Sequence, residues 1–161
     1  AQRVLERIDK GVNLKTVGKI LHQARQAGIW NHIFVFFGFP GETQNEAQQT
    51  IRFVSDHLKD IHSVAGGTFI LEKYSRVYAQ PGAFGVRVLR EPGVDLAFQY
   101  PYEVRSGQTA EEASKSLQRF QQVLDARRIP RVFLDDAYNL LYATAFEDPG
   151  VLWSTPGEST R

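Results

Sequence analysis

The sequence predicts an α/β fold, and three observations carry that prediction. Residues 33 to 37, Ile33-Phe34-Val35-Phe36-Phe37, form a short apolar run rich in β-branched and aromatic side chains, which is how a strand buried on both faces reads. On either side of it lie stretches with apolar residues three and four apart, the pattern of helices that bury one stripe. A turn, Gly38-Phe39-Pro40-Gly41, then leads into Thr43 and Glu46, a capping box in which each side chain satisfies a backbone donor of the other residue. Pro40 cannot donate to a ladder and Gly41 can take a positive φ, so the strand stops there. In α/β proteins a turn of this kind sits at the carboxyl end of a strand, where ligands bind.

The elements follow in order. Residues 2 to 8 read as one or two helical turns with Val4, Leu5 and Ile8 on one face, closed by Lys10-Gly11. A helix from about Leu14 to Ala27 carries Val17, Leu21 and Ala24 inward, with Asn13 as N-cap and Gly28 just past its end. The strand from about His32 to Phe37 comes next, then a helix from about Gln44 to Leu58 with Ala47, Ile51, Val54 and Leu58 as its buried stripe. Residues 62 to 72 read as a second strand, with Gly66-Gly67 marking a bulge or a close approach. The loops are short enough for a right-handed crossover between parallel neighbours.

From 74 to 107 the chain is rich in turns, with Pro81, Pro92 and Pro101 and four glycines. It leaves room for short strands near Val86 to Leu89 and Leu96 to Tyr100. Thr109 and Glu112 form a second capping box, opening a helix to about Arg127 along Ala113, Leu117, Phe120 and Leu124. Pro130 breaks it, residues 132 to 146 read as a last helix, and Trp153 is the one anchor expected of the tail.

Composition sets bounds. The chain has 161 residues, enough for one domain with a real core. With 42% hydrophobic and 23% charged residues it reads as an ordinary soluble protein. A net charge of +1 gives no basis for a nucleic-acid or membrane partner driven by bulk charge. No apolar run spans a bilayer and no signal-peptide pattern opens the chain, so a cytoplasmic location is expected. There is no Cys, hence no disulfide or thiolate metal site, and no Met even at position 1. Ala1 to Leu5 already reads as helix interior, so the chain is expected to start inside a larger protein.

Several residues invite a functional reading beside a structural one. The Gly38 to Thr43 turn serves either as a tight βα turn or as a nucleoside pocket. In the second case Gly38 admits a ligand to the backbone and Phe36 or Phe39 packs on a base. It is not a phosphate loop, for the Lys-Ser/Thr pair is absent. His22, His32, His57 and His62 form no zinc-like set, and His22 and His57 are expected on solvated helix faces. Lys10 and the pair Asp135-Asp136 both suit the helix dipoles at their positions. The segment Glu72 to Arg76 either faces a substrate or ends its strand.

The stretch Ala1-Gln2-Arg3-Val4-Leu5-Glu6-Arg7-Ile8-Asp9-Lys10-Gly11, followed about twenty-five residues later by Phe37-Gly38-Phe39-Pro40-Gly41-Glu42-Thr43, resembles the radical S-adenosylmethionine (SAM) superfamily. The likeness is to its cobalamin-binding or methylthiotransferase-like branch. In that family the first motif follows the fourth barrel strand, and the second ends the fifth strand and helps hold the adenine of SAM. Phe69 to Leu71 with Tyr74 to Tyr78 resembles the sixth strand and the segment after it. The resemblance implies an incomplete (β/α) barrel fragment over residues 1 to 90 and a mostly helical C-terminal extension over 91 to 161. It implies a parent enzyme that cleaves SAM reductively to a 5′-deoxyadenosyl radical with a 4Fe–4S cluster, acting on an unknown substrate, with cobalamin as a further cofactor of the branch. The cluster cysteines of that family, C-x3-C-x2-C, are absent here, so the chain needs the missing N-terminal barrel half as its partner and is expected to be inactive alone. By this resemblance Phe36 packs on adenine, Gly38 and Phe39 offer backbone contacts, and Lys10 meets the SAM carboxylate. The rival reading is a non-catalytic α/β binding or interaction module that keeps the turn for structure.

Overall fold

The computed structural model describes residues 1–89, 97–127 and 129. Helix α1 (Gln2–Ile8) stops at Asp9, which adopts a left-handed conformation and turns its amide back to Glu6 and Leu5. Helix α2 (Leu14–Gln26) begins at the predicted N-cap: the Asn13 side chain accepts the Lys15 amide at 2.9 Å. Gly28, with φ 74°, lies just past its end. Strand β1 (His32–Phe37), helix α3 (Gln44–Asp56) and strand β2 (Ser63–Thr68) then form a βαβ unit. The two strands pair in parallel, residue for residue, from His32 opposite Ser63 to Phe37 opposite Thr68.

The second strand is shorter than the sequence suggests. Its ladder closes with the Phe69 amide on the Phe37 carbonyl at 2.7 Å, because β1 turns away at Gly38 and leaves nothing to pair with beyond. No bulge interrupts it at Gly66-Gly67. Gly66 is instead a close approach, since a Cβ there would stand 3.2 Å from Leu117. The helix predicted to Leu58 ends at Asp56, and residues Leu58–Asp60 wind into a single 3-10 turn.

Helix α4 (Arg76–Ala79) is capped by the Ser75 hydroxyl. Strand β3 (Val86–Val88) pairs antiparallel with β4 (Tyr102–Val104). The strand expected near Leu96 to Tyr100 is thus displaced along the chain. Among its described residues, Gln99 makes an isolated bridge to Glu72, and Pro101, which has no amide to give, separates that bridge from the ladder with β3. Helix α5 (Ala110–Ala126) opens with the predicted Thr109–Glu112 capping box. The expected break at Pro130, helix at 132 to 146, Asp135-Asp136 and the Trp153 anchor lie outside the described residues.

Two core clusters divide the fold. The first gathers Val35, Phe37, Ile51, Val54, Val64 and Phe120 between the sheet and helices α2, α3 and α5. The Phe37 and Phe120 rings, both 0% exposed, meet edge-on at 5.5 Å, and burying each contributes about 1.5–3 kcal/mol. The second gathers Val4, Phe39, Leu71, Val77 and Val86. Helix α5, assigned from sequence to the C-terminal extension, therefore closes the core of the βαβ unit.

The expectation that β1 is buried on both faces needs correction. Alternation puts Val35 and Phe37 on the face under α3 and α5, whereas Phe34, on the other face, is 64% exposed. On that second face the described elements half-bury Phe36, against Phe39 and Phe69, and leave Phe34 exposed. Among the described residues no helix is long and apolar enough to cross a membrane.

Candidate functional site

The site grows out of the turn after β1. Gly38 and Gly41 both hold positive φ, 83° and 84°, values open to glycine without strain. The turn closes with the Glu42 amide on the Phe39 carbonyl at 2.7 Å. The Glu42 side chain then folds back inside it and is only 2% exposed. Its Oε2 accepts the Gly38 amide at 2.6 Å and Nε2 of Gln108 at 3.2 Å. The Gln108 amide returns to the Glu42 carbonyl at 2.8 Å, and Gln108 Oε1 accepts the buried Ser116 hydroxyl at 2.6 Å. Burial pushes the Glu42 carboxyl above its ordinary value, and the Gly38 amide works against that shift.

One helical turn further on, Glu46 behaves oppositely. The Arg3 guanidinium grips both its oxygens, and the Thr43 amide and hydroxyl add further bonds. Chiefly through Arg3, its pKa is lowered to about 2. Arg3 also donates to the Gly41 carbonyl at 2.8 Å, so α1 is strapped to the turn.

Beside β1 lies a cleft of about 360 Å³. It is lined by residues from both faces of β1, such as Ile33 and Phe36, and by none from β2, so it runs along the strand edge away from β2. Helices α1, α2 and α3 form its other walls. The lining is mostly apolar, with Lys10, Glu42 and Thr50 as polar exceptions. An apolar cleft of this size with a few polar groups suits a small molecule with an apolar body.

Of the residues singled out from sequence, Lys10 and Phe36 meet in this cleft, while Gly38 and Phe39 do not line it. Phe39 is 5% exposed and packs edge-on against Phe69 and Phe84. A Cβ at Gly38 would stand 2.6 Å from that of Ala113, so α5 occupies the space that the missing side chain leaves. Opposite Phe36 in the ladder stands Gly67, where a Cβ would meet nothing within 4 Å. The sheet face therefore has a recess next to the Phe36 ring.

Sequence reasoning passed over Glu42, Gln108 and Ser116. Glu42 stood in the motif and read only as part of a turn. Its partner is 66 residues away, beyond the reach of any local spacing rule. The histidines stay apart from the cleft. His22 Nδ1 lies 3.2 Å from Asp60, and His32 shares the Ser63 hydroxyl with Trp30. His57 is a half-buried helix-ending residue bonded to the Phe53 carbonyl rather than a solvated one. No group of three or more metal-ligating side chains occurs among the described residues. In the Glu72 to Arg76 segment Arg76 pairs with Asp9 at 3.0 Å, and Tyr74 is 81% exposed.

Compared with protein-family models, curated proteins and solved structures, the chain matches none.

Proposed function

We propose that this chain is the C-terminal part of a radical SAM-type (β/α) barrel, in which the cleft beside β1 receives the adenosine portion of SAM. The observation that carries the reading is the meeting of Phe36 and Lys10 in one cleft along the edge of a parallel βαβ unit whose turn carries the resembling motif. In this reading Phe36 packs on the adenine, Lys10 neutralises the carboxylate, and the backbone at Gly38 and Phe39 shapes the carboxyl end of the strand. The open edge of β1 is where the missing N-terminal half of the barrel would join, and the exposed Phe34 faces solvent until it does.

The iron–sulfur cluster of that family does not fit this chain. There is no Cys anywhere in it and no group of three or more metal-ligating side chains among the described residues, so its ligands would have to come from the missing half. What this chain contributes is a binding wall and a fixed turn. A cobalamin, where the branch uses one, would likewise bind outside it.

One observation favours the rival reading of a non-catalytic α/β module: the Gly38 amide and the space beside it are already taken by Glu42 and Ala113. The coding sequence upstream of Ala1 separates the two. Three cysteines spaced C-x3-C-x2-C support the enzyme, and a reading frame that opens at Ala1 removes it.

A further inference from the structure

Helix α2 carries a charged stripe that works against its own stability. Lys15, Gly18, Lys19 and His22 recur three and four residues apart, so they share one face of the helix. Lys15 lies in the first turn, where a cation opposes the helix dipole. Lys15 and Lys19, four residues apart, repel each other. Gly18 stands between them because the end of α3 comes in at that point: a Cβ there would lie 2.6 Å from Nε2 of His57. The His57 ring is held by its Nδ1, which donates to the Phe53 carbonyl at 2.7 Å. That close approach brings Lys59, on the 3-10 turn after α3, to the opposite wall of a cleft of about 630 Å³.

The carboxylates of this cleft do not neutralise it. Asp60 is 5% exposed and turned to Nδ1 of His22 at 3.2 Å. The ammonium groups of Lys15, Lys19 and Lys59 have no carboxylate partner among the described residues, and neither does Asp56 a cation. Three unpaired ammonium groups on two walls of a concave site suit an anion with several charged oxygens. Lys15 and Lys19 stand about 6 Å apart along the helix axis, four residues at 1.5 Å each, a spacing that two linked phosphates can bridge.

We propose that the cleft between α2 and the turn after α3 is a second binding site, which takes a small soluble anion bearing a diphosphate through Lys15, Lys19 and Lys59. Lysine meets phosphate as a point charge, so the site selects charge and spacing rather than one exact orientation. The inference is independent of the nucleoside reading, since no charged residue of this cleft lines the one beside β1.

Titration calorimetry of the full chain with pyrophosphate at fixed ionic strength, alongside melting curves, is the test. The parent is expected to bind pyrophosphate saturably and to melt higher in its presence. Lys15→Gln/Lys19→Gln should weaken binding by at least about tenfold. Without the anion the same variant should melt at or above the parent's temperature, because the repulsion is gone. Lys59→Gln, from the opposite wall, should weaken binding as well. Arg87→Gln/Lys115→Gln removes the same charge from exposed ion pairs elsewhere and should leave binding within about twofold of the parent's. No pyrophosphate binding by the parent overturns the inference. An equal loss in the Arg87→Gln/Lys115→Gln protein overturns it too, since overall charge would then be the attraction. Undiminished binding by Lys59→Gln removes the two-walled site. A Lys15→Gln/Lys19→Gln protein that melts well below the parent shows that the lysines serve the fold and overturns it likewise. Phosphatidylcholine vesicles containing phosphatidic acid separate the two sources of phosphate: co-sedimentation with them in the absence of pyrophosphate binding assigns the stripe to a lipid surface and contradicts the proposal.

Discussion

Replacing Gly38 by alanine tests how the turn is built. Two costs arise at once. An L-residue held at φ 83° pays about 1–2 kcal/mol for the left-handed conformation. The new Cβ would stand 2.6 Å from the Cβ of Ala113, where carbon atoms normally rest about 3.5–4.0 Å apart. The first turn of α5 must therefore move by roughly 1 Å, an overpacking strain of about 1–3 kcal/mol. Together these give about 2–5 kcal/mol, a large share of the stability of a domain. Urea denaturation followed by circular dichroism measures the loss. On an Ala113→Gly background the clash disappears and the backbone strain remains, so Gly38→Ala should cost about 1–3 kcal/mol less there. A Gly38→Ala protein within about 0.5 kcal/mol of the parent, or a cost that does not change on the Ala113→Gly background, would refute this account of the turn.

Two more outcomes follow from the same structure. Glu46, with its pKa lowered from 4.5 to about 2, contributes stability that is present above pH 4.5 and lost as pH falls toward 2. Arg3 is half exposed, which screens the pair and limits the contribution to about 1 kcal/mol; Glu46→Gln should flatten the acid limb of a pH–stability curve, and an unchanged limb would contradict the assignment. Tyr74 holds φ 69° and is 81% exposed, so Tyr74→Gly should raise stability by about 1 kcal/mol through release of left-handed strain. A drop in melting temperature would mean that the ring packs on something that stabilises it.

What the sequence revealed was what local chemistry determines. Asn13, Thr43–Glu46 and Thr109–Glu112 cap the helices they were expected to cap, because a cap is decided within four residues. The parallel pairing of β1 with β2 was legible from two apolar runs separated by a helical stripe. The limits appeared where distant segments decide. Strand β2 ends early because its partner turns at Gly38, a fact about β1 rather than about residues 69 to 72. The ladder with β3 forms at Tyr102 rather than before Pro101, since Glu72 claims Gln99. The aromatic run 33 to 37 read as two-sided burial, yet on its second face Phe34 is exposed and Phe36 only half-buried among the described residues. In the candidate site, Phe36 was named from the aromatic strand beside the glycine turn and again by resemblance, and Lys10 by resemblance alone, whereas the Glu42–Gln108–Ser116 chain had no local signal to give.

The central claim is that adenosine lies against Phe36 in the cleft beside β1. Photolabelling of the full chain with 8-azidoadenosine, with adducts mapped by mass spectrometry and competed with SAM, measures this most directly. The account predicts a competed adduct on the β1 segment at or next to Phe36. Adducts confined to other segments, or labelling that SAM does not compete, would contradict it.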